Sequence, residues 1–70
     1  MVKPGLVYFN DVVKFEFNSK IYQGVVEDFD HIELPWDKEG YDEYGIHVDG
    51  DDDLFFVTNK AIVEIISKAR

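Results

Sequence analysis

Hydrophobic and polar residues alternate along much of the chain, in short runs separated by compact polar turns. In residues 11–17, the apolar residues Val13, Phe15 and Phe17 alternate with charged ones, a period of two that is typical of a strand with one buried face. Other runs show the same period or are rich in β-branched and aromatic residues. These runs predict four further strands, at residues 21–29, 44–48, 54–57 and 61–66.

The segments between these strands have the composition of turns and loops. Residues 18–20 predict a tight turn, and Asp49-Gly50 begins an acidic hairpin turn, because Asp-Gly favours the positive φ angles that such turns require. Residues 30–42 contain Pro35, Gly40 and several charges that interrupt the alternation. We therefore predict a long loop between the second and third strands.

The C-terminal segment permits two interpretations. Ile62, Ile65 and Ile66 fall at helical spacing, behind residues that can cap a helix. The run Ile-Val-Glu-Ile-Ile, however, is dominated by β-branched residues, which favour strands. We predict a fifth strand and keep the helix as the alternative.

Length and cysteine content limit how this protein can be stabilised. Seventy residues allow a single domain, which we assign to residues 1–70 with its core at about 10–66. With no cysteine, disulfides are excluded, and burial of eleven aromatic residues must supply much of the stability. A monomer and a homodimer are both compatible with such a small core. No apolar run is long enough to cross a bilayer and no signal peptide is recognisable, so we expect a cytoplasmic protein without membrane contact.

The order of these segments resembles a known architecture. The runs DVVKF at 11–15, YQGVV at 22–26 and YGIHV at 44–48 are followed by an Asp-Gly turn and an Ile-rich closing strand. This plan is similar to the SH3-like barrels of the Tudor or KOW type found in small bacterial and phage proteins. The resemblance implies a five-stranded, all-β barrel over nearly the whole chain. It does not imply one function, because such barrels serve in RNA binding, peptide recognition and assembly.

Charge narrows the classes of partner. Fifteen acidic residues against seven basic ones give a formal net charge of −8, so the surface should repel phosphate backbones and attract basic partners. Direct nucleic-acid binding is therefore disfavoured, and a protein with a basic surface is the favoured partner.

Aromatic and acidic residues around the predicted loop suggest where such a partner binds. Aromatic faces rimmed by carboxylates suit a lysine or arginine side chain, through cation–π attraction and charge pairing. Trp36 is the candidate anchor, although a core this small could equally use Trp36 for burial. The hypothetical partner site comprises the aromatic residues Phe29, Trp36, Tyr41 and Tyr44 and the acidic residues Asp30, Glu33, Asp37 and Asp42.

Two other functions fit the composition less well. An acidic mimic of nucleic acid, such as a phage-encoded inhibitor, would use carboxylates in place of phosphates to occupy a DNA- or RNA-binding groove. A protein associated with RNA or single-stranded DNA would need exposed aromatic residues that stack on bases despite an unfavourable field. The mimic's acidic patch would comprise Asp37, Glu39, Asp42, Glu43, Asp51, Asp52 and Asp53.

No residue pattern indicates catalysis, a cofactor or a metal. A carboxylate pair such as Glu27 and Asp42 would need a pocket to separate the two pKa values, and a small barrel is normally filled by its own side chains. The acidic turn begins like a calcium loop, but Leu54 replaces the required glycine and Lys60 the closing glutamate. We therefore expect a protein that is not an enzyme and binds no cofactor or metal.

Overall fold

Five antiparallel strands form the protein, and the computed structural model describes residues 2–69. The all-β class and the number of strands agree with the sequence prediction. A short 3₁₀ helix is the only helical element in this described range. The elements are β1 (Val12–Phe17), β2 (Lys20–Leu34), β3 (Asp37–His47), β4 (Phe55–Thr58), the 3₁₀ helix Asn59–Ala61, and β5 (Ile62–Ser67).

The strands lie in one sheet with the order β4-β3-β2-β1-β5. A two-residue turn joins β1 to β2, and its residues Asn18 and Ser19 have φ angles of 51° and 64°, as a type I′ hairpin turn requires. β5 pairs with β1 through two register shifts. The strand interpretation of the C-terminal segment is thus confirmed, and the helical alternative is wrong.

The prediction of a closed barrel is wrong, because the sheet remains open. Closure would require the two outer strands to pair, and β4 and β5 form the two edges of the strand order. β4 pairs with β3 over only four positions, from Glu43 to Ile46. The longest run of pairing is instead between β2 and β3, which continue together well beyond their other neighbours.

The predicted loop at residues 30–42 is also wrong, because most of these residues are strand. β2 and β3 pair as far as Leu34 and Asp37, so that only Pro35 and Trp36 separate the two strands. We call residues 30–42 the arm. A register shift between Ile32 and Leu34 accommodates extra residues of β3, and Gly40 has a φ of +65° there. Pro35 therefore belongs to the turn of a hairpin and Gly40 to its register shift, rather than both belonging to a loop.

The hydrophobic core is formed by residues from all five strands and by Val7 of the N-terminal segment. Val13 and Phe15 of β1 are fully buried, as their alternation predicted. Phe17, Tyr22 and Phe55 pack against the core at one end. The core residues are Val7, Val13, Phe15, Val26, Tyr44, Ile46, Val57 and Ile62.

Candidate functional site

Trp36 lies in the turn at the tip of the arm and is 80% exposed. Leu34 and Asp37, the residues on either side of the Pro35-Trp36 turn, are paired across the hairpin. A two-residue connection is too short to fold back and carry Trp36 over the sheet. Of the two interpretations of Trp36, burial in the core is therefore wrong, and the residue is on the surface.

Acidic side chains flank this tryptophan. Glu33, Asp37 and Glu39 are exposed on the two strands near the tip. The carboxylate of Asp37 accepts a hydrogen bond from the backbone N–H of Glu39 at 3.1 Å, and this bond orders the first residues of β3. Lys38 is the only lysine or arginine of the arm. The tip therefore presents a large indole ring in a predominantly negative surface.

A cleft of about 400 Å³ lies beside the tip, between the arm and the N-terminal segment. Leu34 and Tyr41 provide its apolar wall on the arm, and Tyr41 is partly exposed there. The lining is completed by Val2, Lys3, Pro4, Asp37, Glu39, Gly40, Asn59 and Lys60. Trp36, Tyr41, Glu33 and Asp37, four of the eight residues of the hypothetical partner site, thus lie on or near the outer part of the arm.

Asp42 and Tyr44, by contrast, are inside the protein, and their assignment to a recognition surface is wrong. Asp42 has no exposed area and Tyr44 is 1% exposed. The Asp42 carboxylate accepts hydrogen bonds from the backbone N–H of Gly5 at 2.7 Å and from the Tyr44 hydroxyl at 3.3 Å. Its backbone N–H donates to the side-chain oxygen of Asn59 at 2.9 Å. Asp42 therefore fastens the N-terminal segment to the sheet.

His31 completes this buried network from the surface. Its Nδ1 lies 2.5 Å from an Asp42 carboxylate oxygen, whereas 37% of the side chain is exposed. This hydrogen bond raises the pKa of His31 above its ordinary value, against the opposing effect of desolvation. Burial raises the pKa of the Tyr44 hydroxyl far above its usual range, and the neighbouring Asp42 charge adds to the effect. Tyr44 therefore remains a neutral donor to the carboxylate.

Phe29 belongs to an aromatic cluster at the base of the arm rather than to a surface shared with Trp36. Its ring centroid lies 5.9 Å from that of Tyr44 and 5.5 Å from that of Tyr8. Phe9 approaches Phe29 edge-on at 5.9 Å, and Tyr8 and Phe9 are about half exposed. Asp30, the remaining residue of the hypothetical site, is exposed and pairs in register with Glu43.

A second buried carboxylate, which sequence reasoning missed, fastens the C-terminal end. Asp11 is 2% exposed and accepts hydrogen bonds from the backbone N–H groups of Tyr8 and Ala69 at 3.0 and 2.9 Å. The ammonium group of Lys68 lies 2.5 Å from the same carboxylate. Burial acts to raise the pKa of Asp11, but the bonds from Lys68, Tyr8 and Ala69 outweigh it and lower the pKa.

The residues of the hypothetical acidic mimic patch do not form one surface. Asp37 and Glu39 are near the tip of the arm, whereas Asp51, Asp52 and Asp53 lie in the turn after the opposite end of β3. β3 has eleven residues, which span about 35 Å from end to end at the usual rise per residue. Of the two patch residues between these groups, Asp42 is buried and Glu43 is exposed.

Neither histidine belongs to a metal-binding cluster within residues 2–69. No group of three or more histidine, cysteine, aspartate or glutamate side chains in this range could hold a metal ion. His47 Nδ1 lies 3.8 Å from a carboxylate oxygen of Glu27, as a partly exposed neighbour in the sheet. Nor does the described range include a helix long and apolar enough to span a membrane.

Comparison with protein-family models, curated proteins and solved structures finds no match to this chain.

Proposed function

We propose that this protein is a non-enzymatic binding module that recognises a partner with a basic surface, and that Trp36 is its anchor. The observation that carries this proposal is the 80% exposure of Trp36 at the tip of a projecting hairpin. Tryptophan is strongly enriched among the residues that dominate binding energy at interfaces. Burying an aromatic side chain of this size against a partner contributes about 2–3 kcal/mol.

The charge around the tip supports a basic partner. Glu33, Asp37 and Glu39 are exposed near Trp36, and the protein as a whole carries a formal charge of −8. Complementary charge accelerates association and selects against acidic partners. The cleft lined by Leu34 and Tyr41 adds an apolar surface next to the anchor. The partner is therefore expected to combine an apolar pocket for Trp36 with surrounding lysine or arginine residues.

Kinship with the SH3-like barrels of the Tudor or KOW type is part of this proposal. Five antiparallel strands, with the last strand β5 paired to the first strand β1, support it. An open sheet and a long arm are departures from the barrel plan. The kinship concerns the fold alone, and the functional proposal depends on the arm.

Mimicry of nucleic acid is the less favoured function, because the two acidic groups lie at opposite ends of β3. We assign His31 a structural role, because its Nδ1 is bound to Asp42, whose carboxylate fastens the N-terminal segment. Direct binding of RNA or single-stranded DNA would bring phosphates toward the negative arm.

The proposal is tested by capture of partners on immobilised wild-type protein and on two variants. Trp36→Ala should lose capture of a specific partner, with affinity reduced at least about 30-fold, as expected for an anchor worth about 2 kcal/mol. Ile21→Ala is the matched control, because Ile21 is also an exposed apolar residue, 56% exposed, and lies in the first part of β2. Its capture should equal that of the wild type.

A direct measurement follows from the single tryptophan of the chain. When the captured partner is titrated into the wild-type protein, burial of the indole should shift its fluorescence to shorter wavelength. Equal capture by Trp36→Ala and wild type would contradict the proposal, provided that both variants give the wild-type circular-dichroism spectrum. Capture lost on neutralising either Asp37, Glu39 and Glu43 or Asp51, Asp52 and Asp53, but retained by Trp36→Ala, would favour mimicry.

A further inference from the structure

A second cavity lies at the end of the molecule opposite the tip of the arm. Its volume is about 350 Å³, and it opens between the end of β1 and the turn that connects β3 to β4. Three phenylalanines, one leucine and two aspartates line it: Phe17, Leu54, Phe55, Phe56, Asp51 and Asp53. The cavity thus combines an aromatic interior with carboxylates, and no lysine or arginine lines it.

The aromatic floor of the cavity is held in place by the core. The Phe55 ring packs edge-on against Phe17 with centroids 5.2 Å apart, and lies 4.8 Å from Tyr22 and 5.6 Å from the buried Phe15. Phe56, on the next position of β4, is 65% exposed. One wall is therefore preorganised, and the other presents an uncovered ring to solvent.

The two carboxylates of the cavity have no cationic partner within residues 2–69. The ion pairs of this range involve Asp42, Glu27 and Asp11, and neither Asp51 nor Asp53. Both side chains are exposed, in a turn whose closing hydrogen bond runs from the N–H of Asp51 to the carbonyl of Val48 at 3.0 Å. The negative charge beside the phenylalanine rings is therefore available to an incoming group.

We propose that this cavity receives an arginine side chain from a basic segment of a partner protein. The methylene stem would lie on Leu54 and the phenylalanine rings, and the guanidinium would stack on a ring and donate hydrogen bonds to Asp51 and Asp53. Arginine fits better than lysine, because its planar group is weakly hydrated and forks onto carboxylates. This inference rests on the proposed function in requiring a basic partner, but it assigns a separate contact.

Charge argues against the other occupants of such an apolar cavity. A second copy of this chain would bring a further formal charge of −8 toward Asp51 and Asp53. A neutral apolar side chain would bury both carboxylates against an uncharged group and leave their negative charge uncompensated. An arginine can stack on the rings and neutralise the carboxylates at the same time.

The test is an NMR titration of the full-length ¹⁵N-labelled protein with acetyl-Gly-Arg-Gly-amide. We expect saturable shifts of the backbone amides of residues 51–56. The citrulline peptide has nearly the same shape without the charge, and should bind at least about fivefold more weakly. The lysine peptide should bind about threefold more weakly. Equal binding of the citrulline peptide would overturn the ionic role of the carboxylates, and equal binding of the lysine peptide would overturn the choice of arginine.

The turn itself supplies a matched control for the carboxylates. Asp51→Asn with Asp53→Asn should weaken the arginine peptide about fivefold, and Phe56→Ala about threefold, as loss of exposed charge pairs and of a ring face implies. Asp52→Asn removes a charge from the same turn, but Asp52 does not line the cavity, so affinity should change less than twofold. An equal effect of Asp52→Asn and Asp53→Asn would show that only the general field attracts the peptide.

Trp36→Ala separates this inference from the proposed function. The variant should bind the arginine peptide as the wild type does, because the tip and the cavity are at opposite ends of β3. Peptide shifts that centre on the arm instead of residues 51–56 would overturn the cavity as the site while leaving the partner proposal intact. Loss of partner capture by Trp36→Ala, with no peptide shifts at all, would support the proposed function and reject the arginine site.

Discussion

The base and the tip of the arm reverse the usual positions of acidic and aromatic residues. At the base, Asp42 is completely buried, whereas at the tip, about 20 Å away along β3, Trp36 is 80% exposed. The buried carboxylate has hydrogen-bond donors from Gly5, His31 and Tyr44, which compensate for its removal from water. The Trp36 indole is instead left largely in contact with water.

This contrast separates stability from recognition along one hairpin. The base contributes to the folding free energy, because removing a buried acceptor leaves several donors unsatisfied. The tip contributes little to folding, because truncation of an exposed side chain changes few contacts. Substitutions at the base should therefore destabilise the fold, and substitutions at the tip should change only what the protein binds.

The largest expected effect is that of Asp42→Ala. Loss of the carboxylate leaves the Gly5 N–H and the Tyr44 hydroxyl without their acceptor, so the free energy of unfolding should fall by about 3 kcal/mol. Trp36→Ala is the matched control at the other end of the arm, and should change it by less than about 0.5 kcal/mol. Urea denaturation followed by circular dichroism measures both. Equal losses would abolish the distinction between base and tip.

A smaller effect is expected for Gly40→Ala, within the arm. A Cβ at this position would collide with the backbone carbonyl oxygen of Ile32, and the φ of +65° disfavours any L side chain. The free energy of unfolding should fall by about 2 kcal/mol. Gly50→Ala is the control, since Gly50 has a φ of +91° but no atom within 4 Å of the added Cβ, and should cost about 1 kcal/mol. A cost for Gly40→Ala no greater than that for Gly50→Ala would show that the arm tolerates local rearrangement.

The smallest effect is the pH dependence of stability. The raised pKa of His31 gives stabilisation that is complete below the ordinary value of about 6.5 and disappears as the pH rises through the folded value. The lowered pKa of Asp11 gives stabilisation that is present above about 3.9 and disappears at lower pH. Urea midpoints should therefore be highest between these limits.

Single substitutions assign the two limbs of that profile. His31→Gln should flatten the decline at alkaline pH, and Lys68→Met should reduce the dependence at acid pH. A wild-type midpoint that is the same at pH 5.5 and pH 8.5 would contradict the role of the His31 bond to Asp42.

The sequence predicts the regular part of this sheet well, because alternation is a local signal. Val13 and Phe15 identify the buried face of β1, and the β-branched run at 61–66 identifies β5. The arm is not predicted because proline and glycine occur both in loops and at the turns and bulges of hairpins. Pro35 and Gly40 therefore do not distinguish the two structures. Whether a sheet closes depends on the stagger of distant strands, which alternation does not report.

The candidate site is predicted only in part, for a related reason. Trp36 stands out in the sequence as the single tryptophan between charged residues, and its exposure agrees with the anchor hypothesis. Asp42 is indistinguishable from its exposed neighbours in the sequence, because Gly5, one of its donors, is 37 positions away. Asp11 likewise depends on Ala69, 58 positions away. Buried acidic residues are recognisable only when their distant partners are known.

The carboxylates of Asp42 and Asp11 act as non-covalent cross-links in a chain that has no disulfide. They close loops of 37 and 58 residues, and the entropy lost on closing a loop increases with its length. Neither contact can form until the sheet that positions its carboxylate has formed. Attachment of the two chain ends is therefore expected to be a late event in folding, and their release the earliest step of local unfolding.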